Sequence, residues 1–208
     1  MKIREQATEK LFLEINKLED KYISKISSIL ISSIKKSKNK NSEEIIEIWN
    51  KAEKEIIDLI YQMLEKVYAY ILKFIKKYYP KAESERMDIK DLIWDKDGKT
   101  IEDRVKIYCD FAKEYLTLIG DAKNEELKET LIYNFMRITQ TENTTIFHTF
   151  LKEKISKYYR YGYISNGKCE CCATGGVIKP VADIKWPPRH PLCSCFVILL
   201  EEKENWHF

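Results

Sequence analysis

Between residues 45 and 78 apolar side chains return at intervals of three and four: Ile45, Trp49, Ala52, Ile56, Ile60, Met63, Val67, Ile71, Phe74 and Tyr78. That spacing puts them on one stripe of a helix, not on the alternating face of a strand. A second stripe of the same kind precedes it, carried by Leu11, Ile15, Leu18, Tyr22, Ile26 and Ile29. The polar stretch SKNKNSEE separates them, and within it Asn41 and Glu44 have the spacing of an N-cap and its reciprocal partner. The pair predicts a long helical hairpin. Pro80 ends its second arm, because proline lacks an amide donor and disfavours helical geometry in the residue before it.

Composition agrees with a helical chain. Only 6 glycines among 208 residues argue against a sheet-rich fold with many tight turns. Hydrophobic content of 44% with 12% aromatics excludes a wholly disordered chain, and 33% charged residues of both signs suit solvated helical faces. Further along, Asp97-Gly98 marks a turn, Thr100 with Asp103 predicts a capped helix through 101–119, and Gly120 predicts its end. Two more helices are expected, over NEELKETLIYNFMRITQ and NTTIFHTFLKEKISKYYRYG, with Gly162 as the stop of the second. Cys109 and His148 fall inside these helices and read as a core thiol and a packed or surface histidine. The fold class expected is therefore mainly α. It comprises an N-terminal helical hairpin (1–80), a helical body (81–162) and a small C-terminal α+β zinc-binding module (163–208), in which CFVILLEE is a strand.

No apolar run approaches the roughly 20 residues that cross a bilayer, and the first 20 residues carry acids and lack a signal peptide's apolar stretch. No membrane partner and a cytoplasmic site of synthesis are expected. A net charge of +3 does not by itself diagnose a nucleic-acid binder. Residues 1–40 hold 10 Lys/Arg against 5 Asp/Glu, with four of the lysines in KKSKNK, a run that reads as a solvated turn before it reads as a DNA-facing patch.

Five of the 6 cysteines fall in CECCATGGVIKPVADIKWPPRHPLCSC, residues 169–195. A module of about 40 residues rarely buries enough apolar surface to hold itself together, so a staple is expected. Cys169 and Cys172 form a CxxC, which lets two thiolates in one turn reach a tetrahedral ion; His190 and Cys193 form an HxxC further on. Cys195, two residues beyond Cys193, is an alternative fourth ligand, and Cys171 is a bystander. Thiolate and imidazole ligands suit Zn2+, and four of them close its shell, leaving no position for an activated water. The site so read is structural. A disulfide among these cysteines and a set of unligated thiols are the competing readings. A zinc deaminase needs H-x-E before P-C-x-x-C, and the order here is reversed; a thioredoxin-like site needs a helix after its CxxC, for which ATGGVIKP is a poor start.

The order of these motifs resembles the phage head-morphogenesis family, the minor head proteins similar to the F protein of phage Mu. The residues that carry the resemblance are Trp94, the DGK of Asp97 to Lys99, Arg104, then Arg137, Thr141 and Glu142. They continue with Cys169 and Cys172, ATGG, and PPRHPLCSC, so that the likeness covers roughly residues 94–200. Where the family usually has Arg between the last two cysteines, this chain has Ser194, which leaves that contact absent or supplied by Arg189. The resemblance implies a non-enzymatic virion protein, present in multiple copies at the portal vertex or head interior after assembly in the host cytoplasm. Its implied partners are the portal protein or the major capsid protein, with packaged double-stranded DNA as a further one. Two other classes compete: a cytoplasmic zinc-ribbon-like nucleic-acid-binding protein, motivated by the lysine run, and a metal-dependent hydrolase, which lacks an open coordination site.

Overall fold

In a computed structural model, residues 2–80, 87–93, 97–120, 124–155, 159–164 and 196–202 are described. The chain is mainly helical. Helix α1 spans Lys2–Lys36 and α2 spans Ser42–Tyr78; a short 3-10 turn, Ile89–Asp91, precedes α3, Ile101–Ile119. Helix α4, Asn124–Phe150, runs into a π-helical turn, Leu151–Ile155. Strand β1, Tyr159–Ile164, pairs antiparallel with β2, Phe196–Glu202.

The stripes expected on α1 and α2 are the buried faces. On α2 every position from Ile45 to Phe74 in the predicted stripe is buried, and Tyr78 is half-buried. The buried positions follow the interval pattern 4-3-4-4-3-4-4-3, so that Ile45, Ile56 and Val67 recur every eleven residues. Eleven residues take close to three helical turns, which keeps the stripe on one face over the whole helix. Helix α1 has the same period through Leu11 and Tyr22, and it corrects two expected positions. Leu18 and Ile29 are half-buried, whereas Glu19 and Leu30 are buried, because at 100° per residue Glu19 and Leu30 lie nearer the centre of an eleven-residue stripe.

Helix boundaries have local causes. The Glu44 amide donates to Asn41 Oδ1 at 2.9 Å and the Asn41 amide to Glu44 Oε2 at 3.2 Å, the reciprocal cap predicted for α2. Thr100 and Asp103 make the corresponding capping box on α3, and Gly120, at φ 65°, ends that helix. After Tyr78 the Tyr79 amide still donates to Ile75 at 2.8 Å, and Pro80 then denies the helix its next donor.

Two expectations are corrected. The predicted break near Thr141-Glu142 is absent, since α4 is continuous through it; and Gly162 is no helix stop but a β1 residue paired with Ile198. The first correction has a visible cause. Thr139 Oγ1 donates to the Met136 carbonyl at 3.0 Å and Thr145 Oγ1 to the Thr141 carbonyl at 2.7 Å, so these hydroxyls are satisfied inside the helix.

The chain divides into two compact units. One consists of Leu18–Met63 with Asp95–Thr139. Here the α1 and α2 segments meet through the Trp49 indole N–H, which donates to Ser37 Oγ at 3.2 Å in a buried setting. Tyr61 donates to Glu102 at 3.0 Å, and Lys113 lies 3.6 Å from Glu53. As the α2 number falls the α3 number rises, so these two helices are antiparallel. Tyr108 and Phe135 join α3 to α4, edge to face at 6.0 Å. The other unit consists of Met1–Lys17, Leu64–Trp94 and Gln140–Phe208. In it Phe12 of α1 meets Phe147 of α4 at 4.9 Å and Tyr68 of α2 meets Phe150 at 5.6 Å, while the Tyr68 hydroxyl accepts from the Met87 amide at 2.8 Å.

Candidate functional site

Three groups bear on the residues singled out by sequence, and the fold places the first two. The first is the Asp97-Gly98-Lys99 turn with Arg104. Asp97 Oδ1 accepts from the Lys99 amide at 3.1 Å, closing a local turn that Gly98, at φ 67°, completes in the left-handed region. Arg104, one turn into α3, lies over it. Its Nη2 donates to Asp97 Oδ1 at 2.8 Å and to the Lys99 carbonyl at 2.7 Å, and its Nε to Asp97 Oδ2 at 3.4 Å. The Arg104 hydrogen bond, helped by the Lys99 amide, holds the Asp97 carboxyl below the usual carboxylate range, against the pull of desolvation. Arg104 is buried and bonds to the turn through Nη2 and Nε. The group therefore positions the start of α3. Trp94, which the resemblance adds to it, lies outside the described residues.

The second group is a polar belt on α4. Thr139, Thr141, Glu142, Asn143, Thr145 and His148 are each at most 5% exposed. Buried polar residues need partners, and each of Thr141, Glu142, Asn143 and His148 takes part in at least one interaction. His148 Nδ1 lies 2.8 Å from the Thr144 carbonyl. A carbonyl only accepts, so Nδ1 carries the proton. Of the two expectations for His148 the packed one holds. Arg137 is half-buried, 3.4 Å from Asn134 Oδ1 and with its guanidinium 5.9 Å from the Tyr133 ring. Thr139, Asn143 and Thr145 had no place in the sequence argument. Their signal was an unbroken polar run, TQTENTT, within helix-forming flanks, which reads more easily as a turn than as the inside of a buried helix.

The third group is the cysteine segment. Cys169, Cys172, His190, Cys193 and Cys195 all lie outside the described residues, as does Cys171. What is described is the ribbon on either side. Ile164 pairs with Phe196, Tyr163 with Val197 and Gly162 with Ile198, with an irregularity between Tyr159 and Tyr161. Ile164 and Phe196, the residues that flank 165–195, are thus paired. Among the described residues no cluster of three or more His, Cys, Asp or Glu is placed to hold a metal.

The remaining candidates resolve into ordinary structure. Cys109 is fully buried, and burial, then the nearby Glu53 charge, pushes its thiol up to about 12. It is the core thiol expected. Lys35 and Lys36 occupy the last turn of α1, Lys40 pairs with Glu44 at 2.6 Å, and Glu43 and Glu44 occupy the first turn of α2. Lys35 and Lys36, and Glu43 and Glu44, complement the partial charges of their helix ends, and Lys40 is neutralised by Glu44. An open groove of about 580 Å3 between α1 and α2, with Ser28, Ser32 and Ala52 in its lining, mixes Lys36 and Lys51 with Glu47 and Glu55 and gathers no single charge. Among the described residues no helix is long and apolar enough to cross a membrane. In comparisons with known proteins, no family model, no curated protein and no solved structure matches the chain.

Proposed function

We propose that this chain is a minor head protein of a phage or provirus, a non-enzymatic component acting at the portal in head morphogenesis, DNA packaging or genome delivery. In this reading its C-terminal residues form a small α+β module around a structural Zn2+. Cys169, Cys172 and His190 are three ligands, and Cys193 or Cys195 is the fourth. A closed shell of this kind supplies shape and no activated water, so the protein is a docking part and not an enzyme. Its partners are the portal or major capsid protein, with packaged double-stranded DNA as a further contact.

The observation that carries the reading is the pairing of Ile164 with Phe196, the residues that flank the segment holding every proposed ligand. Closing a loop of that length costs on the order of 3 kcal/mol, and a two-stranded ribbon is at best marginal by itself. A structural zinc contributes about 10 kcal/mol or more in small zinc modules, enough to offset that closure. Support for the head-protein class is the order of its motifs, from DGK and Arg104 to PPRHPLCSC, with the first of these folded as one clamp.

Co-expression with a phage portal protein, followed by gradient sedimentation, tests the class. The chain is expected to travel with the portal ring. Failure to do so, together with DNA binding whose logarithm falls steeply with the logarithm of salt concentration, would replace this reading with the nucleic-acid-binding one.

A further inference from the structure

We draw no further inference here: the strongest candidate, the outward apolar stripe of α3 formed by Ile107, Phe111, Tyr115 and Leu118, carries none because nothing in the structure shows what covers it.

Discussion

At the scale of single residues, the Asp97–Arg104 clamp makes a prediction with a sign. The Asp97 carboxyl titrates below its ordinary value of about 4 when folded. A lowered folded pKa contributes stability that is present above the unfolded value and lost as pH falls through the folded one. Urea midpoints measured from pH 7 to pH 3 should therefore fall less steeply for Asp97→Asn than for the parent; equal slopes would remove the clamp from the acid response. Arg104→Ala is expected to cost more than Asp97→Asn at pH 7, about 2–3 against about 1 kcal/mol. The asymmetry follows from what each change removes: Arg104→Ala empties the space of a side chain 8% exposed and deletes its bonds to Asp97 and the Lys99 carbonyl, whereas Asp97→Asn keeps the volume and an acceptor oxygen for Arg104. Cys109 makes a second prediction. With its thiol raised to about 12 and no surface to present, iodoacetamide at pH 8 should leave it unmodified in the native protein and modify it in denaturant, as read by peptide mass mapping. The sign here is opposite to that of Asp97. The thiol's share of stability is intact below the unfolded value of about 8.5 and is lost as pH rises toward 12.

At the scale of elements, α4 carries two kinds of buried polar residue, and they should respond differently. The Thr145 hydroxyl is satisfied by a carbonyl of its own helix, so Thr145→Val keeps the volume and sacrifices only a local bond. A loss below about 1 kcal/mol is expected. Glu142 is fully buried and partnered, and removing it orphans whatever it serves, so Glu142→Ala should cost about 3 kcal/mol or more in urea titration. Equal effects would mean that the belt is held by packing alone. The same helix shows where reading the sequence stopped. Caps at Asn41–Glu44 and Thr100–Asp103 and the stops at Pro80 and Gly120 were legible because each is decided within four residues. The continuity of α4 through QTENTT was not, since Thr and Asn favour helix ends when solvent is available and are tolerated inside when neighbours bury them. Glu19 lies on the core face that the eleven-residue period defines, although its charge marks a solvated position and the neighbouring Leu18 is the apolar one. Gly162 failed as a stop because its surroundings are set by β2, far along the chain.

At the scale of the whole molecule, the proposed zinc site and the helices should be separable. The proposed ligand set rests on spacing alone; the ribbon that brackets it depends on a pairing between residues 164 and 196 that no local pattern encodes. The helical stripes bury one another through contacts such as Trp49 with Ser37 and Phe12 with Phe147, none of which uses a cysteine of the 169–195 segment. Purified protein should contain one Zn2+ per chain by elemental analysis. Cys172→Ser, or a chelator applied to the parent, should release it and remove hydrogen-exchange protection from the β1 and β2 amides, because a two-stranded ribbon does not persist unaided. Far-UV circular dichroism should keep most of its helical signal, and Cys109 should stay closed to iodoacetamide, since both report on helices that bury their own stripes. Ribbon amides that stay protected in metal-free protein would overturn the zinc reading, whereas collapse of the helical signal would show that the metal holds far more of the fold than the residues flanking it.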